Sequence, residues 1–161
     1  MENSKSTCIR KGNEVIYTRL LHAPRELVWE AWINPEHVKN WWGPDGFTLT
    51  HKSMEVKPTG IWRFIMHGMG RDFANRIQFI EVKKPSLLVY KHMDDDNPDA
   101  LTFTAYISFE EAGENTLITM RNVLPSEEVL LELDRQVNAI EGGNQHLARL
   151  DEYLSQQLKN N

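Results

Sequence analysis

The chain lacks the features that would point to an exported or membrane-spanning protein. It has a single cysteine, Cys8, in 161 residues, so no disulfide can form within it. No apolar run approaches the length of a membrane span, and the first residues lack the apolar stretch of a signal peptide. These absences predict a cytoplasmic protein that does not enter a membrane.

Positive charge is also scarce. The formal net charge is -5 at pH 7, and the longest basic runs are the dipeptides Arg10-Lys11 and Lys83-Lys84. Binding a phosphate backbone needs clustered positive charge, so we expect no nucleic-acid partner. What the chain does have is 40% hydrophobic residues, which is enough for one domain with its own core.

The order of the sequence patterns predicts an α+β protein. Residues 1–13 are polar and predict a flexible N-terminal arm, and residues 14–161 form the predicted single domain. Apolar residues alternate in segments separated by turn signals, which predicts seven strands. The strands are EVIYTRLLHA, FTLTHKSMEV, IWRFIMH, FANRIQFIEV, SLLVYKH, LTFTAYISFE and NTLITMRN.

Two short helices are predicted after the first strand. Residues 24–33 predict the first of them, because their apolar side chains recur at helical spacing. Asn34 suits an N-cap and Pro35 suits the first helical position, so the second helix begins there. We expect Trp41 and Trp42 to end it, just before a Gly-Pro break.

The last segment changes to helical spacing. Ser126 suits an N-cap, and apolar residues then recur every three or four positions: Leu130, Leu133, Val137, Ile140, Leu147, Leu150 and Leu154. The pattern predicts one helix of about 30 residues, about 45 Å long. Because the strand connections are too short for parallel crossovers, we expect a seven-stranded, curved antiparallel sheet wrapped around this C-terminal helix.

Several stretches also resemble a known family. The segments HAPRELVWEAWINPEHVKNWWGPDGFTLT, GIWRFIMHG, PSLLVYKH and LPSEEV, followed by HLARLDEYLSQQL, are similar to the Activator of Hsp90 ATPase homologue 1-like proteins. The resemblance covers residues 14–158 and implies the helix-grip fold of the START-like (SRPBCC) superfamily, with a cavity between the sheet and the long helix. It implies no particular reaction, because no catalytic motif carries over.

Aromatic and apolar residues are predicted to line that cavity. Trp62, Phe64 and Met66 alternate along one strand and should face inward. Trp41 or Trp42 could line the cavity mouth, or both could be core anchors. The full predicted set is Trp32, Trp41, Trp42, Phe47, Trp62, Phe64, Met66, Phe79, Tyr90, Phe103, Ile140, Gly143 and Leu147.

Two adjacent glycines, Gly142 and Gly143, lie inside the predicted long helix. Each costs about 1 kcal/mol relative to alanine in a helix interior, so we expect a structural reason for them. One alternative is a bend that follows the curved sheet, and the other is room for a ligand. We expect Gly143 to form the cavity floor beneath Trp62, Phe64 and Phe103.

The sequence offers little for a metal site. The six histidines are scattered singly, without a spacing that would bring two of them to one ion. Asp94, Asp96 and Asp99 could supply oxygen ligands, but the glycine and glutamate of a calcium loop are missing. We expect a solvated hairpin tip there, and no metal or other cofactor.

Four residues are the polar candidates for the cavity face: His51, Arg76, Glu81 and Tyr90. Each has an ordinary alternative. Arg76 and Glu81 could pair with each other at the rim, Tyr90 could bury its ring, and His51 could face water. No nucleophile with a base and an orienting group is evident, so we do not predict an enzyme.

Three classes of function remain open. The first is binding of a small, largely apolar molecule between the sheet and the long helix. The second, which the family name implies, is a chaperone-associated interaction, with Hsp90 as the candidate partner and stress response as the process. The third is an enzyme acting on a polyketide-like or aromatic substrate, as in distant START-like relatives. An open edge strand also makes a homodimer a candidate assembly.

Overall fold

The described part of the chain forms one antiparallel sheet and four helices. The computed structural model of the chain describes residues 6–159. In chain order, its elements are β1 (Ser6–Lys11), β2 (Glu14–Leu21), α1 (Arg25–Ile33), α2 (Pro35–Val38), β3 (Thr48–Met54), β4 (Ile61–Gly68), β5 (Arg71–Lys83), β6 (Leu87–Asp94), β7 (Asn97–Ala112), β8 (Asn115–Val123), α3 (Glu127–Val137) and α4 (Ala139–Lys159). The predicted α+β class is therefore confirmed.

The described strands form a single curved sheet in the order β1-β2-β8-β7-β6-β5-β4-β3. Each neighbouring pair is antiparallel, as predicted, but there are eight strands in this sheet rather than seven. The two short helices follow β2, where the sequence places them. With β1 and β3 at its ends, the sheet has two edge strands.

The additional strand, β1, lies in the predicted flexible arm. It pairs with β2 from Ser6 opposite Arg19 to Lys11 opposite Glu14. All six of its residues are exposed, so the strand is held by backbone hydrogen bonds and carries no buried face. A search for alternating apolar residues could not have found it, and the expectation of a flexible arm is wrong for residues 6–11. Residues 1–5 of that arm lie outside the described residues.

The second short helix is shorter than predicted. The Asn34 side chain accepts a hydrogen bond of 2.9 Å from the Glu36 amide, so the predicted cap and start are correct. The helix ends at Val38, whose carbonyl accepts from the amides of Trp41 at 3.3 Å and Trp42 at 3.1 Å. The two tryptophans therefore lie in the turn that follows the helix.

The predicted long helix is two helices. Asn138 breaks it with φ 55° and ψ 48°, a left-handed conformation that asparagine tolerates better than most residues. The Asp134 carboxylate accepts from the Ile140 amide at 2.9 Å and so caps the start of α4. The predicted Ser126 cap is correct, because its hydroxyl accepts from the Val129 amide at 3.2 Å.

Helix α4 provides the main cover for the sheet. It buries Leu147, Leu150 and Leu154 together with His146, whereas Leu130 is the buried residue of α3. Among the described residues, no helix combines the length and apolar character needed to cross a membrane. The space between the sheet and these two helices is where the candidate site lies.

Candidate functional site

A cavity of about 290 Å³ lies between the concave face of the sheet, the helices α3 and α4, and the loop 43–47. This volume is at the lower end of the range for ligand pockets. The sheet wall includes Tyr17, Phe64, Tyr90, His92, Phe103 and Asn122. The helix wall includes Leu130, Leu133, Ile140, Gly143 and His146, and Trp42, Gly43, Pro44 and Phe47 close the remaining side.

The predicted apolar set divides into two groups. The cavity is lined by Trp42, Phe47, Phe64, Met66, Tyr90, Phe103, Ile140 and Gly143. The remaining residues lie in the packed core and do not line the cavity: Trp32, Trp41, Trp62, Phe79 and Leu147. Binding of a ligand by the lining residues stays a prediction.

Arg76 and Glu81 do not line the cavity, and the alternative in which they pair with each other at the rim is wrong. The Arg76 Nε donates to the Asp95 carboxylate at 2.9 Å, and Arg63 binds the same carboxylate at 2.8 Å. Glu81 instead pairs with Lys83 at 3.3 Å. These two guanidinium groups hold the pKa of the Asp95 carboxyl below its usual range, against the effect of desolvation. In residues 6–159, no cluster of three or more potential metal ligands is present.

Of the other two polar candidates, Tyr90 lines the cavity and His51 does not. His51 accepts a hydrogen bond of 3.0 Å from the Trp62 indole and lies 3.1 Å from the Pro35 carbonyl, away from the cavity. Burial lowers its pKa. Tyr90 does line the cavity, and burial raises the pKa of its hydroxyl while the nearby Trp32 indole acts in the opposite direction.

An aromatic cluster fills the space next to the cavity. The Trp42 ring lies 4.8 Å from that of Trp62 and 4.5 Å from that of His146, and Trp32 packs on Trp41 at 5.1 Å. The Trp41 indole donates to the Ala31 carbonyl at 3.0 Å. The adjacent tryptophans therefore have different roles, since Trp41 is a core anchor and Trp42 also forms part of the cavity wall.

His146 sits where this cluster meets the cavity. Its Nδ1 accepts a hydrogen bond of 3.0 Å from the Gly43 amide, so in the neutral ring the proton is on Nε2. Burial is the main reason that its pKa is lowered to about 3. The sequence does contain a signal for this residue, because its spacing from Gly143 and Leu150 places it on the covered face of the helix.

His92 and Asn122 each bring a polar atom without a partner to the sheet wall. His92 Nδ1 and Asn122 Oδ1 are buried and make no hydrogen bond, and both residues line the cavity. The His92 ring is stacked on that of Phe103, with centroids 4.8 Å apart and planes 7° apart. Burial lowers its pKa to about 4, so the ring is neutral near pH 7.

Gly143 is needed for the close approach of Tyr17. A Cβ at Gly143 would lie 2.2 Å from the Tyr17 Cζ, whereas one at Gly142 would meet nothing nearer than Pro44 at 3.8 Å. The Tyr17 hydroxyl donates to the Ile140 carbonyl at 2.9 Å. Gly143 borders the cavity, and the ring directly against it is Tyr17 rather than Trp62, Phe64 or Phe103.

Arg149 fixes the loop that closes the cavity. Its guanidinium donates to the carbonyls of Gly43 at 3.0 Å, Pro44 at 2.7 Å and Phe47 at 3.2 Å. One α4 side chain therefore holds the loop that carries part of the wall. The sequence alone gave no reason to single it out, since an arginine on a helix is most often solvated.

The chemical character of the cavity follows from its lining. Among the described residues, no Asp, Glu, Lys, Arg or Cys side chain contributes to the wall. The two histidines are neutral near pH 7, because their pKa values are about 3 and about 4. Such a wall can hold an apolar body and hydrogen-bond to a few polar atoms, but it provides no charged partner.

Comparison with known proteins agrees with this architecture. The family model described as Activator of Hsp90 ATPase homolog 1-like protein matches residues 22–155. Protein Ms6760 from Mycobacterium smegmatis is 22% identical, with 93% of this chain and 97% of that chain covered and a TM-score of 0.81. A protein from Arthrobacter aurescens is 22% identical, with 93% and 91% covered and a TM-score of 0.84.

CalU16 from Micromonospora echinospora is similar over 99% of this chain and 90% of its own, with 15% identity and a TM-score of 0.64. No curated protein sequence matches the chain. At these identities the solved structures show the fold alone, which is the helix-grip fold predicted from the sequence.

Proposed function

We propose, from the premise that the chain belongs to the Activator of Hsp90 ATPase homolog 1-like family, that it binds a small, largely apolar molecule. The observation that carries the proposal is the cavity of about 290 Å³ between the sheet and α3 and α4. Its aromatic and methionine side chains offer apolar contacts, and its few polar atoms can orient a ligand. The proposed binding surface includes Phe64, Met66, Tyr90, Phe103 and Ile140.

The other two classes of function have less support from the cavity. An enzyme would need a group that exchanges protons near neutral pH, and the described lining offers only histidines with strongly lowered pKa values and tyrosines with raised ones. A chaperone-associated role, with Hsp90 as a candidate partner, depends on the family name alone. That role, the cytoplasmic location, the stress response and the homodimer all remain predictions.

The first experiment blocks the cavity from α3. Leu133 lines the cavity, and Leu131, two residues before it, is 47% exposed. We expect the wild-type protein to bind the neutral fluorescent dye N-phenylnaphthylamine saturably, and Leu133→Trp to weaken that binding by at least about tenfold because the larger ring occupies the ligand volume. Leu131→Trp should bind the dye as the wild type does.

Circular dichroism and thermal unfolding of both variants would verify that they are folded. If neither the dye nor other apolar probes bind saturably to folded wild-type protein, the proposal is wrong. Equal loss of binding in the two tryptophan variants would place the dye elsewhere on the protein. Native mass spectrometry of the purified protein should in addition reveal a bound small molecule that is absent from Leu133→Trp.

A further inference from the structure

We infer that the ligand is electrically neutral and carries hydroxyl-type groups on a mostly aromatic body. This inference rests on the proposed function, because it names the chemical class that the same cavity accepts. It depends on two features of the wall: the described lining contains no charged side chain, and two of the lining residues, His92 and Asn122, each have a buried polar atom without a hydrogen-bond partner.

The missing charge argues against a carboxylate or an ammonium group. Moving an ion from water into an apolar space is costly unless an opposite charge or several hydrogen bonds receive it. Arg149, which holds the loop that closes the cavity, donates its hydrogen bonds to backbone carbonyls of that loop. An anionic fatty acid or aromatic acid would therefore be desolvated without compensation, whereas a neutral molecule of the same shape would not be.

The two atoms without a partner argue for hydrogen-bonding groups on the ligand. Asn122 Oδ1 can only accept, so its partner must be a donor. His92 Nδ1 donates in one neutral tautomer and accepts in the other. A hydroxyl group serves either atom, because it has one proton to give and two lone pairs, and a buried polar atom left without such a partner is costly.

The sheet places these two polar side chains on either side of β7. His92 pairs with Phe103 across the β6–β7 ladder, and Asn122 pairs with Ala105 across the β7–β8 ladder. Phe103 stacks on His92, so an apolar surface adjoins one of the two hydrogen-bonding positions. The wall therefore fits an aromatic ring whose polar substituents are at its edge.

A matched series of naphthalene derivatives tests the inference by displacement of N-phenylnaphthylamine. The series is naphthalene, naphthol, naphthoate and naphthylmethylamine, which share one ring system and differ in the polar group. On wild-type protein near pH 7 we expect naphthol to bind about tenfold more tightly than naphthalene. Naphthoate and the protonated amine should bind at least about tenfold more weakly than naphthol.

The variants then identify the groups that are responsible. The double variant His92→Phe, Asn122→Leu keeps a ring stacked on Phe103 and removes both polar atoms, so naphthol should lose about tenfold more affinity than naphthalene does. His22→Phe, at an exposed position, is a control that should leave the ratio of the two affinities unchanged.

The possible results separate the two proposals. If naphthoate or the amine binds as tightly as naphthol, or if the double variant keeps the wild-type preference for naphthol, the inference on ligand class is wrong. Binding of naphthalene and the dye would then still support a cavity for apolar molecules. If no member of the series and no dye binds to folded wild-type protein, the proposed function itself fails, together with this inference.

Discussion

The aromatic cluster and the adjoining cavity share the same sheet and the same helix, yet one is filled and the other is open. The cluster packs Trp32, Trp41 and Trp42 around His146 and Trp62 against Trp42, with neighbouring rings 4.5 to 5.7 Å apart. The cavity is also bordered by aromatic rings, but it leaves about 290 Å³ between them. Aromatic content therefore does not distinguish the filled core from the open cavity.

The two regions differ in how many of their buried polar atoms form hydrogen bonds. In the cluster, the indole of Trp41 donates to a carbonyl, that of Trp62 donates to His51, and His146 accepts from an amide. Trp32 Nε1 makes no hydrogen bond of ordinary geometry, although it is close enough to Tyr90 to lower the pKa of that hydroxyl against the effect of burial. Tyr90 lines the cavity, so this exception lies at the boundary.

In the cavity wall, two buried polar atoms have no partner at all. A folded core normally satisfies its buried polar groups, and unsatisfied atoms on residues that border open volume are the arrangement expected where a second molecule completes the contacts. The contrast between the two regions therefore supports a binding role more strongly than the volume alone. The following predictions test that contrast.

The largest expected effect comes from truncating a matched pair of phenylalanines. Phe109 is 1% exposed and packs on Trp29 at 5.2 Å and on Trp32 of the aromatic cluster at 5.9 Å. Phe109→Ala should therefore lower the free energy of unfolding by about 3–5 kcal/mol through loss of burial and a new void. Phe103 already borders open space, so Phe103→Ala should cost only about 1–2 kcal/mol. Urea unfolding at a fixed pH measures both.

Dye binding provides the second readout for this pair. Phe103→Ala should change the affinity for N-phenylnaphthylamine, whereas Phe109→Ala should leave it unchanged as long as the protein is folded. Similar stability losses in the two variants would mean that the cavity is as tightly filled as the cluster, and the distinction between the regions would be lost.

The lowered pKa values of His146 and His92 predict a loss of stability in mild acid. Burial lowers the pKa of His146 to about 3 and that of His92 to about 4, from an ordinary value of 6.5. Below pH 6.5 the unfolded chain therefore binds protons that the folded protein does not, and stability falls as the pH falls. Between about pH 7 and pH 5 each histidine should remove about 2 kcal/mol from the free energy of unfolding.

The variant His92→Phe separates the contribution of the cavity histidine to this acid loss from that of His146 in the cluster. It should remove about half of the acid loss without breaking a hydrogen bond, because His92 Nδ1 has none. The pKa of the Asp95 carboxyl is lowered, so its ion pairs stabilise the folded protein throughout this pH range. That contribution is lost only in stronger acid. An acid loss unchanged by His92→Phe would mean that solvent reaches this half-buried ring, although its Nδ1 is covered.

Much of the fold could be predicted because it depends on periodic burial. The inward side chains of the central strands and the apolar face of the C-terminal segment are regular patterns, and they gave the sheet and its helical cover. The pattern missed β1, which has no buried face, and the break at Asn138, which depends on one residue's backbone conformation. Neither feature leaves a periodic signal.

The cavity was harder to predict than the fold. Alternation identifies inward residues, but it cannot say whether opposing side chains meet or leave a gap between them. Trp62 and Phe64 are both inward and stacked at 4.1 Å, yet only Phe64 borders the cavity. His92 and Asn122 were not proposed, because an isolated polar residue in a strand gives no sign of lacking a partner until the tertiary contacts are known.

Alanine substitutions at the two adjacent glycines should give smaller changes in the free energy of unfolding, and the two changes should have opposite signs. A Cβ at Gly143 would collide with the Tyr17 ring, so Gly143→Ala should lower the free energy of unfolding by about 1–3 kcal/mol. At Gly142 the nearest atom would be 3.8 Å away, so Gly142→Ala should raise it by up to about 1 kcal/mol through helix propensity. Urea unfolding of the two variants tests this.

A double-mutant cycle with Tyr17→Leu shows whether the Tyr17 ring is the cause. In that background the penalty of Gly143→Ala should largely disappear. Because Tyr17 lines the cavity, displacement of its ring by the alanine should also weaken dye binding, whereas Gly142→Ala should not. Stabilisation by both alanines would show that the contact between strand and helix is looser than the geometry indicates.

The smallest expected effect on stability concerns the helix that covers the open region. Helix α3 has one buried residue, Leu130, and its N-terminus is capped by Ser126, whereas α4 has four buried residues. Ser126→Ala should cost about 1 kcal/mol, yet it should speed dissociation of bound N-phenylnaphthylamine in stopped-flow measurements, because α3 would open more often. Ser155→Ala, at an exposed position within α4, should change neither quantity appreciably. An unchanged dissociation rate in Ser126→Ala would mean that the ligand leaves beside the loop 43–47, where Arg149 holds the wall, and not beneath α3.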